Sequence, residues 1–240
     1  MAYKEVSGNL FNTKAMAIVN TVNCVGAMGK GIALEFKLRY PDMFKEYQRI
    51  CFRHILKPGQ ILPYKKSNPL ILNFAIKDDW KDPSKVEWVE ETLQKFVANY
   101  KKLDIKSVAF PWMGAMNGGI PIEIIKDLTR KYLSNLDDID IEVYEFDPNV
   151  PCPLYTTLKK IIRDDEFSIS ELEHLSEIKS RYWIKIIEAV KDDRTKSMDN
   201  LCHYEIEGKR IIGKTNIERL FHFLTKFKDN KLPIQGELLL

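Results

Sequence analysis

Four short apolar runs recur along the first 147 residues: AMAIVNTV (15–22), PLILNFAI (69–76), SVAFPW (107–112) and IDIEVYEF (139–146). They are rich in β-branched and aromatic residues, as suits strands covered on both faces. YKEV near the start is a weaker strand candidate. Helix patterns fill the gaps. Residues 84–102 place Val86, Val89, Leu93, Phe96, Val97 and Tyr100 on one face, with Glu90, Glu91, Lys95 and Lys102 mostly opposite. Asp82 before Pro83 reads as the start of that helix. A second helix runs from Pro121, with Ile125, Leu128 and Tyr132 on its stripe. Such alternation predicts an α/β fold, a sheet between layers of helix.

The pattern changes after DPNVPCP (147–153), whose three prolines read as a linker. Residues 168–192 predict two short helices joined near Ile178-Lys179-Ser180, with Ser170 and Glu173 as a capping box. HYEIEGKRIIG (203–213) predicts a hairpin turning at Glu207-Gly208, and a last helix carries Ile217, Leu220, Phe221, Leu224 and Phe227. The expected division is therefore 1–150 for the α/β domain and 151–240 for a small, mostly helical module resembling a winged helix-turn-helix. In that reading Lys179, Ser180, Arg181 and Tyr182 open a recognition helix.

Charge alone does not argue for a polyanion partner. The net charge is +3, and up to Val150 there are 21 Lys/Arg against 19 Asp/Glu, so a nucleic-acid contact needs a local patch. Cys24, Cys51, Cys152 and Cys202, with His54, His174, His203 and His222, show no metal-ligand spacing. No metal and no cofactor are expected. Without a signal peptide, long apolar span or lipidation motif, the expected setting is a reduced cytoplasm with no membrane contact.

Two glycine-rich loops stand where ligands bind in open α/β sheets, between a strand's carboxyl end and a helix. One runs from Asn23 to Gly31, the other is PWMGAMNGGIPIE (111–123). Backbone N–H groups at a helix N-terminus suit phosphates, and two such loops suit a diphosphate or a phosphate and a sugar.

These residues also carry a family resemblance. SGNLFNTKAMAIVNTVNCVGAMGKGIALEFKLRYP, with the turn Gly8-Asn9-Leu10, Asn20 to Asn23 and then Gly26 to Gly31, resembles the first part of a macrodomain, an ADP-ribose-binding module. FPWMGAMNGGI resembles that family's second loop. MGKGIALEFKLRYP and LNFAIKDDW look like the DarG-like branch, the DNA ADP-ribosyl glycohydrolases that act as antitoxins to a DNA-modifying toxin. Ala75 and Ile76 replace that branch's Pro-Thr, Met116 stands where relatives often have glycine, and Gly118 aligns with an acid found in other relatives.

The resemblance implies a three-layer α/β/α macrodomain with a mixed central sheet over residues 1 to about 147. It implies that Asn9, with Leu10, meets the adenine edge and that Asn23, with Asn20, meets the distal ribose. Gly29, Lys30 and Gly31, with Gly114, Ala115, Met116, Asn117, Gly118 and Gly119, would wrap the diphosphate and ribose. Lys77 would be catalytic, its neutral amine attacking the anomeric carbon of the distal ribose to form a covalent intermediate. Trp80 and Trp112 fit two places equally, stacked on a base or covering the mouth, or half-buried in the core.

The function implied is release of ADP-ribose from nucleic acid, a DNA base first of all, against a DNA ADP-ribosyltransferase. The implied partners are ADP-ribose or ADP-ribosylated DNA and a cognate toxin, the latter engaged by the C-terminal module. The competing expectations are a non-catalytic ADP-ribose reader fused to a DNA- or protein-binding module, and a hydrolase of small ADP-ribose esters.

Overall fold

A computed structural model describes residues 3–165 and 167–228. The chain divides into two units, Met1–Phe146 and Asp147–Leu240. The first holds β1 (Tyr3–Gly8), β2 (Ala17–Val22), α1 (Gly31–Arg39), α2 (Pro41–Phe52), β3 (Ile61–Tyr64) and β4 (Leu70–Ala75). It continues with α3 (Val86–Asn99), β5 (Ser107–Pro111), α4 (Ile122–Leu133) and β6 (Asp140–Phe146).

The strands form one sheet in the order β1-β6-β5-β2-β4-β3. All neighbours are parallel except β3, which runs antiparallel to β4. The expected mixed sheet between helical layers is what the chain forms. Period-two alternation explains the layers. Ala17 and Val19 of β2 pack with α3 and α4 residues such as Val89, Leu93, Ile125 and Leu128. Ile18 and Val22 point the other way, onto Phe36 of α1 and Met43 and Tyr47 of α2.

Two expectations need correction here. Strand β3 escaped the sequence reading because Pro63 lies inside it. Proline lacks the N–H a central strand donates, and β3 tolerates it as the edge of the sheet. Helix α3 starts at Val86, not at Asp82-Pro83. The reason is tertiary: the Ser84 N–H donates to the Gly118 carbonyl at 2.8 Å, which holds residues 83–85 extended against the second glycine loop.

The second unit contains α5 (Pro153–Arg163), α6 (Ile169–Ser176), α7 (Ser180–Lys191), α8 (Met198–Cys202), β7 (Glu205–Ile206), β8 (Lys209–Arg210) and α9 (Lys214–Lys228). Pro153 opens α5 rather than closing the linker. The two helices, their junction and the hairpin turn fall where the sequence placed them. The capping box, however, is Ser168 with Glu171. Glu173 instead accepts from Lys179 Nζ at 2.9 Å and from the Ser180 N–H at 2.7 Å, pinning the start of α7. Among the described residues, no helix is long and apolar enough to cross a membrane.

That clasp predicts an acid-sensitive second unit. Hydrogen bonds from Ser180 and Lys179 hold the Glu173 carboxyl at about 2, below its ordinary 4.5. A depressed carboxyl stabilises the fold above its unfolded value, and that contribution is lost as pH falls through the folded one. Acid titration from pH about 5 to pH about 2 should therefore loosen the α6–α7 junction, and Glu173→Gln should flatten that dependence. Thermal melts of the two proteins across that range measure the difference.

Candidate functional site

The carboxyl ends of the parallel strands form one edge, and every predicted site residue lies along it or beneath it. At one end, Gly8 of β1 is in register with Phe146 of β6. Asn9 follows Gly8, and its Oδ1 accepts from the Phe11 N–H at 3.0 Å, capping the short 3-10 turn Leu10–Asn12. Leu10 is buried behind it. Phe146, which the sequence reading passed over as an ordinary strand residue, is 40% exposed at this corner. At neighbour spacing of ~4.8 Å, the four steps from β1 to β4 span roughly 19 Å.

The first loop leaves β2 near the other end. Asn23 shapes it: Oδ1 accepts from the Val25 and Ala27 N–H groups at 3.1 and 3.2 Å, and Nδ2 donates to the Ala27 carbonyl at 2.6 Å. The Tyr47 hydroxyl, buried under the loop, lies 2.8 Å from the Asn23 carbonyl and 3.0 Å from Oδ1. Asn23 thus holds its own loop in shape. Asn20 is sealed below, fully buried, with Nδ2 donating to Asn73 Oδ1 at 2.8 Å on the facing position of β4. Its Oδ1 is buried without a described partner.

Beyond Asn23, Gly29, Lys30 and Gly31 are exposed and lead into α1. That helix has no side-chain cap at Lys30 and no acid in its first turn. Its first N–H groups and the positive end of its dipole are thus available to an anion. Cys24, the nucleophile type nearest this loop, is buried, and burial pushes its thiol up to about 12. It stays protonated at neutral pH.

The second loop is a tight coil. A Cβ on Gly118 would lie 2.5 Å from the Gly114 Cα and collide with the Gly114 carbonyl, so this position admits only glycine. Gly114 and Gly119 take φ of +84° and +78°. The Gly114 carbonyl accepts from the Ile120 N–H at 3.1 Å, closing the coil. Ala115 packs partly against the core, while Met116 and Asn117 project outward. Glu123 sits in the first turn of α4, where a carboxylate suits the dipole.

Three segments meet at Asn117. A Cβ on Gly31 of the first loop would stand 2.5 Å from Asn117 Nδ2. From the end of β4, Lys77 Nζ donates to the Asn117 carbonyl at 2.8 Å. The Lys77 segment is tied in turn to the first loop, the Cys24 N–H donating to the Asp78 carbonyl at 2.8 Å. Asp78 is exposed, and Asp79 Oδ1 accepts from the Lys81 N–H at 3.0 Å, so that carboxylate closes its own turn. An amine therefore stands hydrogen-bonded to the second glycine loop, on a segment whose backbone is tied to the first. The structure also separates the two tryptophans. Trp112 packs against the core on the α3 and α4 side, whereas Trp80 is 57% exposed.

Known proteins share this fold. Residues 19–129 match the Macro domain family. The chain is similar to the DNA ADP-ribosyl glycohydrolase of Thermus aquaticus, 41% identical over 145 residues, covering 58% of this chain and 40% of that protein. The chain thus spans about two fifths of the length of that curated relative. The solved macrodomain of Thermus aquaticus DarG superposes with a TM-score of 0.57 at 39% identity, covering 60% of this chain and 97% of that one. Thermosipho africanus DarTG, solved in complex with ADP-ribose, gives 0.58 at 31% identity, covering 63% of this chain and 43% of that one.

Proposed function

The chain belongs to the macrodomain family, with DarG macrodomains among its relatives, and on that footing we propose that it is a glycohydrolase that removes ADP-ribose from nucleic acid. The observation that carries the reading is the meeting of Lys77 with both glycine loops at Asn117. ADP-ribose lies along the carboxyl edge. Adenine sits at the Asn9 and Phe146 corner, the aromatic face of Phe146 against the base. The diphosphate faces the uncapped N-terminus of α1 and the coil from Gly114 to Gly119. The distal ribose then ends beside Lys77.

The chemistry follows from that placement. The neutral Lys77 amine donates its lone pair to the anomeric carbon, forming a C–N bond as the bond from that carbon to the base breaks. The departing base nitrogen takes the electron pair and a proton, and the attacking nitrogen gives up a proton to water. Water then attacks the same carbon, its proton passing to the departing Lys77 nitrogen, which restores the amine and releases ADP-ribose. The backbone amides of the two loops hold the diphosphate through both steps.

The bond from Lys77 to the Asn117 carbonyl also supports a second reading, a non-catalytic reader. A lysine held on that carbonyl when ligand binds is not turned to attack the anomeric carbon. Both readings expect ADP-ribose at about a hundred times its dissociation constant to add roughly 2.7 kcal/mol, which raises the melting point by several degrees. Only the hydrolase regenerates unmodified strand from ADP-ribosylated single-stranded DNA. No thermal shift sinks both readings, and binding without release leaves the reader.

The whole protein's partners follow the same footing. A cognate DNA ADP-ribosyltransferase is the proposed partner of the second unit. Docking to such a partner is favoured over DNA binding by one feature of α7: Lys179 and Ser180 are engaged by Glu173. Arg181 stacks over the Tyr182 ring at 5.0 Å.

A further inference from the structure

Three apolar side chains on the segments that converge at the Lys77–Asn117 contact are left in solvent by the fold. They are Val25 at 43%, Trp80 at 57% and Met116 at 77% exposure, one from each of the three converging segments. Trp80 does not sit on a slack loop. The Cys24 N–H donates to the Asp78 carbonyl, the Lys81 N–H to Asp79 Oδ1 at 3.0 Å, and the Asp82 N–H to the Asp79 carbonyl at 3.3 Å. Two residues further on, the Ser84 N–H fixes the segment to Gly118. A hydrogen-bonded turn therefore holds an indole outward three residues past the reacting amine.

The geometry points to Val25, Trp80 and Met116 as the seat of the leaving group, a nucleobase of single-stranded nucleic acid whose face stacks on Trp80. This rests on the reading that ADP-ribose lies in the cleft with its distal ribose at Lys77, which sets the group cut from that carbon beside the segments that carry these side chains. A flat aromatic face matches every base and reads no sequence. A base paired within a duplex cannot present its face, so the seat selects an unpaired strand. The turn carries Asp78, Asp79 and Asp82 beside Lys81, whose Nζ stands 5.6 Å from the Trp80 ring centroid. Such a mixture is no track for phosphates, and the grip is on the base.

The test compares the wild-type chain with Trp80→Ala and Trp80→Phe, using ADP-ribosylated single-stranded DNA and free ADP-ribose as probes. Trp80→Ala should weaken binding of the modified strand roughly tenfold, the order of one lost base–aromatic stack. Turnover should lose the same factor in kcat/KM, through KM. Free ADP-ribose should bind within about twofold of wild type, and Trp80→Phe should restore most of the strand affinity. The loss should be the same at low and high salt, because stacking is not screened. Equal weakening of free ADP-ribose, or unchanged strand affinity, overturns the seat. A wild-type chain that binds the modified strand without cutting it, with the tenfold loss still present in Trp80→Ala, overturns the hydrolase and keeps the seat.

Discussion

Replacing Lys77 by alanine should cut release of ADP-ribose from DNA at least ~1,000-fold while leaving ADP-ribose affinity within about threefold. The asymmetry follows from position. Lys77 leaves the end of β4 with Nζ on the Asn117 carbonyl, so its removal deletes the proposed nucleophile and one hydrogen bond but no loop backbone. The amides proposed to hold the diphosphate come from other segments. The nearby Cys24 thiol does not take over, because it is buried and protonated. Lys77→Arg should fail equally, since a guanidinium stays charged and offers no lone pair. Single-turnover release assays on modified oligonucleotides, run beside ADP-ribose titrations, separate the two quantities. A variant that lost binding and turnover together would make Lys77 a ligand anchor.

The second large effect is expected at Gly118. A methyl group there meets Gly114 backbone, which cannot swing aside as a flexible side chain would. Gly114 is itself held by the Ile120 N–H, and Gly118 by that of Ser84, so the whole coil must shift and carry Asn117 with it. Gly118→Ala should lower ADP-ribose affinity about 100-fold, or ~2.7 kcal/mol. Gly213→Ala is the control: nothing lies within 4 Å of a Cβ at Gly213, in the second unit, and affinity should stay within about twofold. Isothermal titration of the two variants gives the comparison. Near-normal binding by Gly118→Ala would remove the second loop from the diphosphate site.

Strong local patterns made the fold legible. The apolar runs of β2, β4, β5 and β6 and the stripes of α3 and α4 leave few alternatives to a covered sheet. Both glycine loops could be placed because each follows a strand and precedes a helix. What stayed hidden was tertiary in origin. Pro63 argues against a strand unless β3 is known to be the edge. Asp82-Pro83 is a sound helix start until Gly118 takes the Ser84 N–H. Ser168 and Ser170 stand two residues apart with glutamates at matching offsets, and only the Glu173 clasp on Ser180 decides which pair caps.

The candidate site divides in the same way. Lys77, Gly31 and Asn117 were each singled out from sequence, but their meeting is visible only when two loops and a strand end are assembled. Asn20 and Asn23 share one motif and end in different places, one sealed under the loop and the other folding it. Phe146 and the contrast between Trp80 and Trp112 depend on exposure, which an aromatic residue in an apolar run does not reveal.

The most direct measurement is mass spectrometry of the protein quenched in acid during turnover of ADP-ribosylated single-stranded DNA. The account predicts a fraction of the chain heavier by one ADP-ribosyl group, with that group on the peptide bearing Lys77, and no such species in Lys77→Ala. An adduct on another residue, or full turnover by Lys77→Ala, would contradict it.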